Sequence, residues 1–226
     1  VLRTAQPRVQ CLGGGLLLAS RLVAVFSLQV RPVGECPAIV MSTPLVITLL
    51  AATKLKEHVS PLRWLLVVGG FTGTMIIIRP GGDDFNWTLL LPLGLVASNA
   101  WFQVLTSKLA KTEDPMTMHF YTGWVGALLA SLPLPFVWMS LDSWGLWAGL
   151  CLMGTMGTVG HFLLILAYKK APAATVTPYL YTQIAFAMLG GWLVFAHVPD
   201  QWSFIGIALV AVCGAAGAWL TVRESR

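Results

Sequence analysis

Charged side chains are scarce in this sequence. Of its 226 residues only 14 are Lys or Arg and 9 are Asp or Glu, which together is 10% of the chain. Soluble domains devote about a quarter of their residues to charged side chains, so an ordinary soluble composition is excluded. Apolar residues make up 57% of the chain and the mean hydropathy is +0.77, which is typical of a protein that faces lipid.

Motifs for metal ions and disulfides are also missing. The four cysteines, Cys11, Cys36, Cys151 and Cys213, lie in or beside four different apolar stretches. None of them belongs to a CxxC pair or has a Cys/His spacing that suits zinc. They are interpreted as small, buried apolar residues, and no metal, disulfide or cofactor is predicted.

Eight apolar stretches of about membrane-spanning length are present instead. A helix of roughly 17 to 25 residues crosses the hydrocarbon layer, and long runs rich in Leu, Ala and Gly lack the period-two alternation of barrel strands. We therefore predict an all-α, polytopic membrane helix bundle with eight transmembrane helices. The stretches are 11–29, 37–53, 62–79, 88–108, 117–139, 145–168, 173–196 and 202–222.

Basic residues concentrate in alternate gaps between these stretches. Eleven fall on one side of the membrane, and only Arg31 and Arg79 fall on the other, with Arg21 inside the first span. The positive-inside rule then places both termini in the cytoplasm. Because the basic residues are divided among short loops, no nucleic-acid partner is predicted. The eleven are Arg3, Arg8, Lys54, Lys56, Arg63, Lys108, Lys111, Lys169, Lys170, Arg223 and Arg226.

The second half of the chain echoes the first. A Thr-Pro pair precedes a His-Val pair in both halves, and a glycine-rich stretch follows. The second span matches the seventh, so the offset of five helices inverts the copy, as in many secondary transporters. The alternative is that glycine- and alanine-rich membrane helices simply look alike. The paired elements are Thr43-Pro44 with Thr177-Pro178 and His58-Val59 with His197-Val198.

Three longer runs resemble the EamA family of the drug/metabolite transporter superfamily. They are TPLVITLLAATKLKEHVSPLRWLLVVGGFTGTMIIIRPGG, SKLAKTEDPMTMHFYTGWVGALLASLPLPFVW and AYKKAPAATVTPYLYTQIAFAMLGGWLVFAHVPD. The resemblance covers the chain from about residue 15 to its C-terminus. It implies two five-helix repeats with both ends in the cytoplasm, and movement of small metabolites across the bacterial inner membrane.

The sequence departs from that family pattern in two ways. The family's Gly-Glu pair at a helix end reads Lys56-Glu57 in the first copy and Phe195-Ala196 in the second, and we interpret the remaining carboxylate as a structural cap. In length, residues 1–80 correspond to three helices of the first repeat and 88–222 to the complete second repeat. The resemblance thus predicts that two N-terminal helices are missing and that the chain as given transports poorly or not at all alone.

Polar side chains deep in the predicted spans are candidate substrate ligands, because they cost free energy in lipid unless they are paired. Some of them lie one helical turn apart, as Asn99 does from Gln103 and Tyr179 from Gln183. The alternative is that they hydrogen-bond between helices and have no ligand role. The predicted substrate-binding residues are Thr43, Asn99, Gln103, His161, Tyr179 and Gln183.

Prolines and glycines mark breaks and close contacts. Pro44 and Pro178 each remove a helical hydrogen bond, and interrupted helices point to a transport site, although a simple kink is the alternative. His119 and Tyr121 are expected at the cytoplasmic mouth. Close helix packing is predicted for three glycine clusters: Gly69, Gly70 and Gly73; Gly154, Gly157 and Gly160; and Gly214 with Gly217.

These observations favour a secondary transporter of a small organic metabolite or drug-like solute that works by alternating access. An enzyme is not predicted, because no nucleophile and base converge at one depth. The alternative is a membrane assembly subunit, or an inactive fragment of a transporter. The predicted partners are a small-molecule substrate and the lipid bilayer, and a dimer is compatible with the sequence. The acidic residues fall near span ends, so a carboxylate proton relay is not visible.

Overall fold

The computed structural model of the protein describes residues 4, 6–30, 40–78, 90–138, 142–195 and 200–224. In these ranges all regular secondary structure is helical, as predicted. Several predicted features lie outside the described residues: Arg3, Arg31, Cys36, Arg79, Ala196, His197, Val198 and Arg226.

Eight helices of 12 or more residues lie in the described ranges, which matches the predicted number. They are α1 (Pro7–Val30), α2 (Thr43–Lys54), α3 (Pro61–Ile78), α4 (Leu90–Leu109), α5 (Pro115–Ser131), α6 (Trp144–Lys170), α7 (Thr182–Phe195) and α8 (Gln201–Glu224). Short helices Leu134–Val137 and Ala173–Val176 follow α5 and α6, and a 3-10 helix, Thr177–Tyr181, precedes α7.

Two of the described helices are long and apolar enough to cross a membrane, judged by length and composition: Pro7–Phe26 within α1, and α6. Shorter apolar segments are Thr43–Lys54, Pro61–Ile77 and Gln201–Gly217. Large apolar side chains lie open on the surface, including Trp144 at 90% and Phe136 at 89% exposure. Apolar surface on this scale fits contact with lipid.

Capping residues set the starts of α5 and α6. The Asp114 carboxylate accepts the Thr117 N–H at 3.0 Å, with Pro115 in the first turn, and the Ser143 hydroxyl accepts the Gly145 N–H at 3.2 Å. Both patterns are favoured helix beginnings, because they satisfy N–H groups that have no partner within the helix. Lys169 and Lys170 end α6, where positive charge offsets the helix dipole.

The chain divides into two compact units, of which the first comprises residues 1–18 and 105–171. In this unit α1 packs closely on α5, because a Cβ atom at Gly14 would lie 2.9 Å from that of Val125. Gln10 is 2% exposed and its amide donates to the Glu113 carboxylate at 3.4 Å. Helix α5 also packs against α6.

The second unit comprises residues 19–104 and 172–226, and α3 against α8 is its main helix contact. Val67, Tyr181 and Val210 form one buried apolar cluster, and Leu66, Cys213 and Leu220 form another. Glycine allows the helices to approach. A Cβ atom at Gly69 would lie 2.7 Å from the Cys213 sulfur, and a Cβ atom at Gly70 would lie 2.5 Å from the Tyr181 ring. These distances confirm the predicted close packing here.

The structure corrects two packing predictions. Cys213 is buried, but Cys11 and Cys151 are exposed, so they do not fill a core. At Gly154, Gly157 and Gly160 a Cβ atom would meet nothing within 4 Å, counting the part of the chain that the structure describes. Both errors have one cause: composition shows that a helix is apolar, but not which of its faces other helices cover.

Candidate functional site

The seventh predicted span is broken into three pieces within the second unit. Short helix Ala173–Val176 leads into the 3-10 helix Thr177–Tyr181, and α7 begins at Thr182. Pro178 lies in the 3-10 helix and cannot donate a backbone hydrogen bond. A 3-10 stretch inside a longer helix often marks a functional hinge. We call residues 173–195 the broken span.

Helix α2 begins at the matching Thr-Pro pair and packs against the broken span. A turn at residues 41–42 precedes α2, and Pro44 lies in its first turn. The buried hydroxyls of Thr48 and Thr177 are 2.9 Å apart, and we call them the threonine pair. The Thr48 hydroxyl also lies 2.9 Å from the Pro44 carbonyl, and that of Thr177 lies 3.1 Å from the Ala174 carbonyl.

Each hydroxyl of the threonine pair has a single proton, so one donates across the pair while the other donates to its own helix. Replacing both Thr48 and Thr177 with valine in a double-mutant cycle is expected to give a coupling energy of about 0.6 kcal/mol, and at most about 1.7 kcal/mol. The measurement is the free energy of unfolding in detergent. Thr53→Val is the control, because that exposed hydroxyl donates within α2 to the Leu49 carbonyl at 2.7 Å. A coupling energy of zero would show that the pair does not join the two elements.

Glu57 ties the end of α2 to the start of the broken span. Its two carboxylate oxygens accept the backbone N–H groups of Ala173 and Ala174, each at 3.1 Å. These N–H groups begin a helix and have no acceptor within it, so a carboxylate satisfies them and suits the helix dipole. The prediction that Glu57 is a structural cap is confirmed.

Lys56 lets the chain turn so that Glu57 reaches this position. Its φ angle of 53° lies in the left-handed region, and the Glu57 N–H donates back to the Ala51 carbonyl at 3.1 Å. Glycine is favoured in this conformation because other residues have a Cβ atom that crowds the backbone. The glycine expected from the Gly-Glu pattern therefore has a physical reason, and Lys56 adopts the same turn at some strain.

Two of the predicted site residues bond to each other on α4. The Gln103 amide donates to the Asn99 side-chain oxygen at 3.2 Å, as the spacing of one turn predicts. Gln103 is buried and Asn99 is half-buried. In the broken span the exposed Gln183 amide donates weakly to the Met41 sulfur at 3.8 Å, just before α2.

The remaining predicted residues are more dispersed. The Thr43 hydroxyl donates to the Val40 carbonyl, and Thr43 is 4% exposed. Tyr179 is half-buried in the 3-10 helix, where its carbonyl accepts the Thr182 hydroxyl at 2.7 Å. Within the described part of the chain, no hydrogen bond joins Thr43 or Tyr179 to another predicted site residue. His161 belongs to the first unit, whereas the other five belong to the second.

In the first unit His161 of α6 faces His119 of α5. The two ring centroids are 5.5 Å apart and the rings are tilted by 35°, and we call them the histidine pair. Phe162 meets His119 edge-on, also at 5.5 Å. The Nδ1 atom of His119 and the Nε2 atom of His161 are both buried. Two positive charges at this separation would repel by about 3 kcal/mol at an effective dielectric constant of 20, so the pair holds one proton more easily than two.

Sequence reasoning missed the histidine pair and the partners of Glu57. The sequence predicts His119 at the mouth of the protein and His161 at a deeper level, because position along a single helix does not show how two helices are displaced against each other. The available signal was two histidines in successive predicted helices. For Glu57 the signal was the family's Gly-Glu pattern, which indicates the cap but not the helix that it caps.

Comparison with known proteins identifies the family of this chain. The profile of the EamA-like transporter family matches residues 86–221, which is more than half of the chain. The chain belongs to the EamA-like transporter family. This confirms the resemblance that the Thr-Pro and glycine-rich runs indicated.

Relatives of this EamA protein include transporters with different named cargoes. The riboflavin transporter of Vibrio cholerae is 31% identical over 202 residues, which is 86% of this chain and 65% of that protein. The S-adenosylmethionine uptake transporter of Rickettsia bellii is 27% identical over 92% of this chain and 72% of its own length. The pseudopaline exporter of Pseudomonas aeruginosa is 26% identical over 88% of this chain and 70% of its own length.

The fold is shared with proteins of known structure. One solved structure matches with a TM-score of 0.82 at 18% identity, and the match covers 96% of this chain and 79% of that chain. This likeness concerns the fold alone. The chain spans 65% to 72% of the length of the relatives named above.

Proposed function

We propose that this EamA protein is a secondary transporter that moves a small organic metabolite across the bacterial inner membrane by alternating access. The observation that carries the proposal is the broken span lying against the Thr-Pro start of α2. Discontinuous helices in transporters place free backbone groups and polar side chains at the substrate site. Here the broken span and the turn before α2 both lie in the second unit, and the threonine pair joins the broken span to α2.

The proposed substrate ligands are the polar groups near these breaks together with the amide pair of α4. Gln183 is exposed and, within the described residues, its side chain makes one weak bond, to a sulfur atom, so its amide can exchange that bond for one to a solute. Tyr179 supplies a phenol in the adjoining 3-10 helix. The proposed ligands in the second unit are Thr43, Asn99, Gln103, Tyr179 and Gln183.

The relatives indicate the kind of cargo to test first. Riboflavin and S-adenosylmethionine are both heteroaromatic compounds with several hydrogen-bonding groups, which suit amide and phenol ligands. The relatives' names include both uptake and export. We propose riboflavin-like and nucleoside-like metabolites as the first substrate class for this chain.

The proposed organisation follows the charge pattern and the internal repeat. Residues 1–80 form part of the first repeat and residues 88–222 form the second, inverted repeat. Both termini lie in the cytoplasm, since the basic residues of alternate loops favour that side. The protein is proposed to work in the lipid bilayer, as a monomer or a dimer, without a nucleic-acid partner.

Uptake by proteoliposomes tests this function. Vesicles that contain the chain should take up radiolabelled riboflavin or S-adenosylmethionine at a low rate that still exceeds the rate of protein-free vesicles. Replacing Gln183 with alanine should lower the initial rate about tenfold, which corresponds to about 1.4 kcal/mol of lost interaction. The same loss is expected for Asn99→Ala, because Gln103 loses one hydrogen-bond acceptor as well.

Ser98→Ala is the matched control for the α4 substitution. Ser98 precedes Asn99, and its hydroxyl donates within the helix to the Gly94 carbonyl at 2.8 Å. Its removal should change uptake by less than about twofold. If a chain with normal helix content and cooperative unfolding moved neither compound, the alternative of an assembly subunit or inactive fragment would replace the proposed transporter.

A further inference from the structure

The histidine pair is a titratable group inside the helices that the proposed transport mechanism does not use. His119 and His161 lie on neighbouring helices of the first unit with ring centroids 5.5 Å apart. Histidine is the side chain whose ordinary charge change falls between pH 5 and 8. Ionisable groups within membrane helices commonly mark ion or proton pathways.

Carboxylates do not offer a competing site in these helices. Helices α5 and α6 contain no Asp or Glu, and in the described helices the one acidic residue is Glu224, at the very end of α8. Among the side-chain types in α5 and α6, histidine is the one whose ordinary charge change falls near neutral pH, so an imidazole nitrogen is the proton acceptor available there. The facing rings bring two such acceptors together, while mutual repulsion limits the pair to one proton.

We propose that His119 and His161 form a proton-binding site that shares one proton, and that this proton couples pH to transport. The coupling rests on the proposed transport function. A charged pair is disfavoured wherever it is enclosed by apolar groups such as Phe162, and it is favoured wherever water reaches it. Protonation thereby shifts the balance between conformations that enclose the pair and those that open it.

The first unit holds other titratable and charged groups on the elements that pack with the pair. They are Tyr121 on α5; Cys151, Tyr168, Lys169 and Lys170 on α6; Arg8 and Cys11 on α1; and Lys111, Glu113 and Asp114 in the loop before α5. The two loop carboxylates already accept hydrogen bonds from Gln10 and Thr117. Lys111 donates to the Ala171 carbonyl at 3.1 Å, beyond the last turn of α6.

NMR titration of the full chain in lipid nanodiscs tests the shared site, with isotope-labelled histidine. In the wild-type protein the pair should take up protons in two steps separated by about one pH unit or more. The variants His161→Asn and His119→Asn, tested separately, should each show a single titration step. Its midpoint should lie between the midpoints of the two wild-type steps. The control is His58→Asn in the exposed loop between α2 and α3, which should leave both steps in place.

Independent titration would overturn the shared site: the signal of His119 would then have the same midpoint with and without His161, in variants whose thermal unfolding is normal.

A second experiment tests the coupling to transport. Proteoliposome uptake of riboflavin or S-adenosylmethionine is measured with and without an imposed pH gradient. A gradient effect of about threefold or more that disappears in both variants would support coupling. Wild-type uptake that ignored the gradient would overturn coupling and leave the transport function standing. If the wild type moved neither compound, the proposed function would fail, and the titration would still decide whether the proton site exists.

Discussion

Replacing Glu57 with alanine is expected to lower the free energy of unfolding by about 2 to 3 kcal/mol. The carboxylate accepts two N–H groups, of Ala173 and Ala174, at the start of the broken span. Hydrogen bonds to a charged acceptor are stronger than hydrogen bonds to a neutral one. Without the carboxylate, the two backbone N–H groups would lose this acceptor. Glu57→Gln keeps one acceptor oxygen and should lose about half as much. Thermal or denaturant unfolding in detergent measures the free energy of unfolding of both variants.

Asp142→Asn is the control for Glu57. Asp142 is an exposed carboxylate just before α6, and α6 is capped by Ser143 instead. Its loss should change stability by less than about 0.5 kcal/mol. Equal effects of Glu57→Ala and Asp142→Asn would show that Glu57 does not stabilise the broken span.

The second large effect is expected at Gly206, where α8 crosses α3. A Cβ atom there would lie 2.6 Å from the Gly73 carbonyl oxygen and 2.5 Å from the Ile77 Cγ1 atom. The carbonyl belongs to the backbone of α3, so the clash cannot be relieved by turning a side chain. Gly206→Ala should therefore destabilise the protein by about 3 kcal/mol, at the upper end for overpacking. The free energy of unfolding in detergent is again the measurement.

Gly154 of α6 provides the matched control for Gly206. Both glycines lie inside long helices, but a Cβ atom at Gly154 would meet no atom within 4 Å in the part of the chain that the structure describes. Gly154→Ala should be neutral or should stabilise the protein by up to about 1 kcal/mol, since alanine is the better helix former. If Gly206→Ala were as well tolerated as Gly154→Ala, the close approach of α3 and α8 would be wrong.

Local features of the candidate site were predictable because they follow from helix geometry. Asn99 and Gln103 are one turn apart in sequence, and the structure shows their hydrogen bond. The family's Gly-Glu pattern at a helix end indicated a cap at Glu57. Proline at 178 predicted an interruption, and the structure contains a 3-10 helix there. Each of these inferences uses residues that are close along the chain.

Contacts between helices were not predictable in the same way. The distance between His119 and His161 depends on how far α5 is displaced along α6 and on the rotation of both helices. Both helices are apolar on all sides, so the hydrophobic pattern does not show which side packs against another helix and cannot fix that rotation. For the same reason the sequence does not distinguish the glycines of α6 from those of α3, although in the described part of the chain those of α3 meet other elements and Gly154, Gly157 and Gly160 of α6 do not.

Composition, helix period and family motifs are properties of the chain alone, and they establish that this protein is helical, apolar enough to face lipid, and a member of the EamA-like transporter family. The tertiary structure decided which groups meet: Glu57 with the broken span, Thr48 with Thr177, and His119 with His161. The physical reason is that hydrogen bonds and charge repulsion act over a few ångströms. Only the packing of helices distant in sequence sets distances on that scale.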